Sequence, residues 1–176
     1  SNIIVTRPLA DEVWDEVGMR TTQLYCDTAH LLFYWRRLPD NRMLFGGRAG
    51  IFDTPGARRK RRIWLEERMA EKFPALRDVG SEFFWDGKVG LSYDLNPHVG
   101  TAEGDPTVFY ALAYMGSGVA MATYCGSLTA DLAVGKNVPQ DTPVTGAGLP
   151  RFPFPFLRSL YLAGAYAWYG IKDRFS

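Results

Sequence analysis

A chain of 176 residues with 47% hydrophobic and 14% aromatic side chains is long enough and apolar enough to fold around a real core as one ordinary domain. Twenty basic against nineteen acidic side chains leave a net charge of +1, which argues against a nucleic-acid-binding or membrane-surface protein as a whole. No apolar run approaches the ~20 residues of a membrane span, and no basic-apolar-small signal pattern opens the sequence.

Ser1-Asn2 resembles the scar of a removed tag, and an apolar strand, Ile3 to Thr6, starts at once. The chain therefore reads as a piece of a larger protein. Arg7-Pro8 follows, then a short helical or irregular segment around Asp11 to Val17, and Thr22 to Cys26 and Leu31 to Arg37 read as strands. Leu38-Pro39-Asp40-Asn41 supplies turn residues and Arg42 to Phe45 the returning strand, so Leu31 to Gly47 is the best hairpin. Gly46-Gly47 ends it and lets the backbone bend or come close to something. After Pro55-Gly56 a helix is expected over Ala57 to Phe73. Leu65, Met69 and Phe73 recur four apart there, Glu66, Glu67 and Glu71 face elsewhere, and Pro74 stops it.

The basic run Arg58 to Arg62 is followed directly by those glutamates, so it reads as a solvated helix face rather than a nuclear-localisation or nucleic-acid signal. It crowds cations at the positive end of the helix dipole. Glu82 to Leu91 looks extended, with Asp86-Gly87 as a candidate tight turn, and Leu95 to Gly104 reads as loop. His30 and His98 stand isolated, each a candidate catalytic base although a lone turn histidine is usually only a polar residue, and no Ser-His-Asp or Cys-His set emerges from local spacing. Cys26 and Cys125 make no disulfide framework, and with two histidines there is no structural metal set. A reducing cytoplasm and no metal are the default expectation.

Thr107 to Gly135 is the most informative stretch. Val108 to Met115 is a nearly continuous apolar run of strand length, and Val119 to Val134 is a proline-free helix closing at Gly135. Between them, Gly116, Ser117 and Gly118 let a ligand approach the backbone, where the unpaired N–H groups of the first helical turn favour an anion or an electron-rich carbonyl. Spacing alone weighs this equally against glycines that merely allow a tight reversal. A self-contained dinucleotide-binding unit is disfavoured, because Gly116-x-Gly118-x-x-Met121 lacks the third glycine and Asp141 lies in a proline and glycine-rich loop with no strand to carry it. The joint reads as one wall of a cofactor site. Beyond it, Pro139, Pro143, Pro150, Pro153 and Pro155 preclude regular structure until a short aromatic-rich helix over Leu157 to Ile171.

Taken in order, Asn41-Arg42-Met43-Leu44-Phe45-Gly46-Gly47, Phe73-Pro74-Ala75-Leu76, Trp85-Asp86-Gly87, Asp94-Leu95-Asn96-Pro97-His98-Val99-Gly100 and Tyr114-Met115-Gly116-Ser117-Gly118-Val119-Ala120 resemble the C-terminal portion of the D-amino-acid oxidase-like, FAD-dependent oxidoreductases. The resemblance covers essentially the whole chain. Arg151-Phe152-Pro153-Phe154-Pro155, Leu157-Arg158 and Lys172-Asp173-Arg174 are similar to the terminus of the γ-glutamylputrescine oxidoreductase branch.

The resemblance implies an α+β fragment of a larger two-domain flavoenzyme. Residues 1–93 would form an antiparallel substrate-binding sheet with flanking helices, including helix 57–73. Residues 94–135 would be the closing strand, turn and helix of the FAD-binding domain, and 136–176 a proline-rich tail with a short helix. The parent would oxidise a C–N bond by hydride transfer to FAD, with the ADP-binding part of the site outside this chain. Gly116, Ser117, Gly118, Val119 and Ala120 would face the pyrimidine end of the flavin, where reduction leaves negative charge that fixed donors stabilise.

Some positions depart from the family pattern. Ala113, Met115 and Ser117 replace the usual glycine, serine and histidine of the turn, and Val89 and Gly116 stand where amino-acid-oxidising relatives place carboxylate-binding arginines. An amine or polyamine-derived substrate is favoured over an α-amino acid clamped by its carboxylate. Tyr34 and Arg48 are the implied substrate-pocket residues, although a strand tyrosine and a post-hairpin arginine are more often packing and surface. No catalytic residue is assigned, and no cysteine stands near Gly87 for covalent flavin attachment. The expected partners are a small-molecule amine and the missing N-terminal FAD-binding portion, with no nucleic acid and no membrane span, and a homo-oligomer is compatible with the sequence. Alone, the chain is expected to be catalytically incomplete. The alternative is a non-catalytic substrate-domain or interaction module whose glycine turn is purely structural.

Overall fold

A computed structural model describes residues 1–48, 50–51, 54–146 and 148–173. The fold is α+β and divides into two compact units, one formed by Ser1–Gly87 with Leu157–Ser176 and the other by Lys88–Phe156. Arg174, in the tail motif, lies outside the described residues. None of the described helices is long and apolar enough to cross a membrane.

The first unit is built on a five-stranded sheet in the order β2-β3-β4-β1-β5, every neighbour antiparallel. Its strands are β1 (Asn2–Val5), β2 (Tyr25–Cys26), β3 (Phe33–Arg37), β4 (Met43–Gly47) and β5 (Phe83–Asp86). Only Tyr25–Cys26 of the expected strand from Thr22 is paired. The β3–β4 hairpin forms as its turn residues dictate: Asn41 takes the left-handed region at φ 62° that asparagine tolerates, and Leu38 and Arg42 close the loop through a 2.8 Å N–H to carbonyl bond.

One face of the sheet is covered by α2 (Pro55–Lys72), whose start is fixed by Pro55 and by the Thr54 hydroxyl accepting the Ala57 N–H at 3.2 Å. Leu65 and Met69, one turn apart, are fully buried against Ile4, Met43 and Phe45. Trp14 of α1 (Asp11–Val17) completes this core and donates its indole N–H to the Asn41 carbonyl at 3.2 Å.

Gly46 and Gly47 end the β3–β4 hairpin as expected and are its last paired residues, opposite Tyr34 and Phe33, whose aromatic rings lie across them. A Cβ at Gly46 would sit 2.3 Å from the Tyr34 ring, so Gly46→Ala is expected to displace that ring and lower the melting temperature of the unit, read by calorimetry. Two expectations need correction in this unit. Asp86-Gly87 is not a hairpin turn, because β5 pairs with β1 and the Gly87 N–H donates to the Ser1 carbonyl. Finally, the basic run is more than a solvated face. Arg61 and Arg58 both pair with Asp86, at 2.6 and 3.3 Å, and Arg62 bonds Glu66 and Ser81, tying α2 to the sheet edge while Arg59 and Lys60 stay exposed.

In the second unit, β6 (His98–Ala102) and β7 (Asp105–Leu112) form a hairpin with a register shift at Thr101/Ala102. The expected loop over Leu95 to Gly104 thus contains a strand. Its signal was hidden because Asn96-Pro97 reads as loop and His98 and Val99 are both buried, which erases the period-two pattern. Helix α3 (Gly118–Ala133) packs Cys125 and Leu128 against Val99 and Val138, and Gly135, at φ 74°, ends it by donating to the Leu132 carbonyl. Helix α4 (Arg158–Lys172) closes the chain within the first unit.

Candidate flavin-facing turn and substrate-side residues

After β7 the backbone passes through three left-handed conformations in four residues, Ala113 at φ 66°, Met115 at 55° and Gly116 at 98°. Glycine takes such a conformation freely, whereas at alanine and methionine it is strained and must be held by the surroundings. Ala113 is buried, and Tyr114 donates its hydroxyl to the Ala111 carbonyl at 3.2 Å and accepts the Ser117 N–H on its own carbonyl at 2.8 Å. These contacts brace the turn from inside.

The start of α3 is left open. Ser117 sits at the N-cap position, but its hydroxyl caps nothing, and its carbonyl receives the N–H groups of Ala120 and Met121 at 3.1 and 2.9 Å. The N–H groups of Gly118 and Val119 find no acceptor among the described residues. Val119 is 100% exposed, an unusual setting for an apolar residue on a folded helix, and Ala120 beside it is exposed as well. The two glycines differ in kind. Gly116 is required by its backbone angle, whereas a Cβ on Gly118 would meet only Tyr114, at an ordinary 3.7 Å. Nothing within this unit demands glycine at 118.

The loop entering β6 is locked by a pair that local spacing treats as unremarkable. His98 is fully buried and its Nε2 lies 2.9 Å from Asp94 Oδ1, while its Nδ1 has no partner among the described residues. The hydrogen bond from His98, aided by the Asn96 N–H and by Ser92, holds the Asp94 carboxyl well below the usual carboxylate range. The folded carboxylate resists its proton more than the unfolded one, so the stability it adds is complete above the unfolded value near 3.8 and is lost as pH falls below it. Asp94→Asn is expected to flatten that acid-side loss, measured as melting temperature against pH. An aspartate four residues ahead of a histidine across a proline is the signal that could have revealed this anchor.

Tyr34 and Arg48 belong to the first unit. Strand alternation puts Tyr34 on the face opposite core-facing Phe33, above Gly46, and its hydroxyl lies 2.8 Å from Ser1 Oγ. Arg48, directly after β4, is half-buried. Tyr34 and Arg48 thus lie in one unit, while Gly116 to Ala120 lie in the second.

The profile of the FAD dependent oxidoreductase family, DAO, matches residues 1–132. This chain belongs to the FAD-dependent oxidoreductase family. Among its relatives, a probable oxidoreductase OrdL of Rhizobium meliloti is 36% identical over 151 residues, covering 85% of this chain and 34% of that protein. The γ-glutamylputrescine oxidoreductase of Escherichia coli is 32% identical over 157 residues, covering 85% and 35%. The chain thus spans about a third of the length of the curated relatives it matches. Two solved structures share the fold. Glycine oxidase from Geobacillus kaustophilus gives a TM-score of 0.60 at 21% identity, covering 86% of this chain and 38% of that one. Iminodiacetate oxidase from Chelativorans sp. BNC1 gives 0.58 at 16%, covering 84% and 39%.

The turn fits the group that an FAD-dependent oxidoreductase carries. Two unclaimed amides at the positive end of a helix suit the electron-rich edge of a flavin, and the missing Cβ at Gly118 leaves room for a flat ring to approach.

Proposed function

We propose that this chain forms the flavin-ring wall and the substrate-side sheet of an enzyme that oxidises a C–N bond of an amine or amino-acid-derived compound. The observation that carries this reading is Gly118, a glycine that neither its backbone angle nor its own unit requires, beside two amides without acceptors. FAD, when bound, supplies the acceptor for the hydrogen and electron pair lost from the substrate. The N–H groups of Gly118 and Val119 would face the electron-rich edge of that group and stabilise negative charge there, and the exposed apolar Val119 would help to exclude water. Tyr34 and Arg48 orient the substrate from the sheet.

The names of the relatives and neighbours, γ-glutamylputrescine oxidoreductase, glycine oxidase and iminodiacetate oxidase, agree on substrates with oxidisable C–N bonds. Val89 and Gly116 offer no guanidinium for an α-carboxylate, which favours an amine or a polyamine derivative. In this reading the ADP-binding part of the site lies outside the chain, the chain alone is inactive, and the enzyme works in the cytoplasm.

Anaerobic addition of γ-glutamylputrescine or a simple diamine to the complete, flavin-loaded protein is expected to bleach the visible flavin bands. A spectrum untouched by both, and by amino acids, would contradict the proposal. The rival reading, a module with a purely structural turn, draws its support from Gly116, whose φ of 98° explains that glycine without a ligand.

A further inference from the structure

Two strained residues open the turn before α3, and the loop over residues 88–97 lies against both. The Met115 N–H reaches the Gly90 carbonyl at a long 3.4 Å, and a Cβ on Gly90 would stand 3.6 Å from the Ala113 Cα and 3.7 Å from its nitrogen. Ala113, at φ 66°, and Met115, at φ 55°, hold backbone angles that their side chains do not favour, so they keep them only while their neighbours stay in place.

The loop in turn is folded around Asp94. Its carboxylate accepts the Asn96 N–H at 3.3 Å, the Asn96 side-chain amide donates to the Asp94 carbonyl at 3.1 Å, and the buried Ser92 hydroxyl donates to the Asn96 carbonyl at 2.7 Å. His98 fastens this knot to the hairpin. Asp94 is an ionised acceptor at neutral pH, so His98 Nε2 carries the proton and donates it to Asp94 Oδ1 at 2.9 Å. His98 is paired in register with Leu112, the residue just before Ala113, and its neighbour Val99 packs on Cys125 and Leu128 of α3. The bond thus joins loop, strand and helix of one unit around the turn.

Packing alone does not account for a histidine at this position. His98 is fully buried and its Nδ1 has no hydrogen-bond partner among the described residues, a cost that an apolar side chain would avoid. What the imidazole brings in return is the bond to Asp94.

We propose that Asp94 and His98 form a positioning pair, which holds the backbone of Ala113 and Met115, and through it the amides of Gly118 and Val119, in the geometry that meets the flavin edge. This rests on the reading of the turn as a flavin wall. The pair orients the wall and does not itself bind the ring.

Hydrogen–deuterium exchange at residues 113–119 and flavin affinity by equilibrium dialysis, both on the complete flavin-loaded protein, test this together. Asp94→Ala and His98→Leu are each expected to speed exchange of the Met115 and Ser117 amides and to weaken flavin binding by about fivefold or more, as a charge-assisted hydrogen bond is pulled off line. Asp94→Asn keeps an acceptor oxygen for Nε2 and is expected to hold affinity to within about twofold. Val138→Ala, in the same core cluster but outside loop and turn, is the control for stability: it is expected to lower the melting temperature and leave both readouts unchanged. Unchanged exchange in Asp94→Ala and His98→Leu overturns the proposal, as does Asp94→Asn losing as much affinity as Asp94→Ala, or Val138→Ala matching their loss. Flavin lost in Gly118→Leu but kept in Asp94→Ala removes the positioning pair alone, whereas flavin kept in both removes the flavin-wall reading on which it rests.

Discussion

Replacing Gly118 with leucine is expected to strip flavin from the complete protein and to leave this chain folded. The side chain would project where Gly118 now offers none, at the helix start whose amides await an acceptor. A hydrogen bond to a charged group contributes about 1.5–3 kcal/mol, so loss of even one such bond weakens flavin binding by about tenfold or more. The fold should not suffer, because Gly118 has an ordinary backbone angle and its nearest neighbour to a new Cβ, Tyr114, is at van der Waals distance. Gly118→Ala sharpens the contrast. Removing a glycine from a compatible helical position stabilises by about 0.4–1 kcal/mol through the unfolded chain, so this variant is expected to melt higher while holding flavin less tightly. Flavin retained by both variants, scored from absorbance after gel filtration, would support the purely structural turn.

The second large effect concerns the sheet that carries Tyr34. Phe45 is fully buried, its ring stacked on Phe33 at 5.4 Å and on Trp35 at 6.3 Å, with Ile4, Leu65 and Met69 in the same core. Phe45→Ala removes a whole ring from a close-packed interior and is expected to cost about 3–5 kcal/mol, a large share of the ~5–15 kcal/mol that holds an ordinary domain together. The five tryptophans, Trp14, Trp35, Trp64, Trp85 and Trp168, all lie in the first unit, so tryptophan fluorescence during urea unfolding reports on this unit selectively. A midpoint shift equivalent to less than about 1 kcal/mol would mean that Phe45 is not a core residue in solution.

What the sequence made legible follows from the range over which its signals act. The repeat of Leu65 and Met69 and the stop at Pro74 are local chemistry, and α2 forms close to the expected Ala57 to Phe73 but begins two residues earlier, because Pro55-Gly56, read as loop, is its first turn; Gly135 likewise closes α3 where expected. The hairpin around Asn41 is legible for the same reason. Pairings between distant segments carry no local signature. Ile3 opposite Trp85 is such a case, and it converts Asp86-Gly87 from an apparent turn into the end of an edge strand. The role of Asp86 as the common partner of Arg58 and Arg61 was hidden by the same distance.

At the site, Gly116 and Gly118 marked the turn itself, but the left-handed backbone at Ala113 and Met115 carries no side-chain preference that would signal it.

The central claim is that the opening turn of α3 holds the electron-rich edge of a flavin. A crystal structure of the complete flavin-loaded protein tests it most directly. The flavin C2 carbonyl oxygen or N1 is expected within hydrogen-bond distance, about 2.7–3.2 Å, of the amide nitrogen of Gly118 or Val119. A flavin bound elsewhere, with those two amides facing solvent, would contradict it.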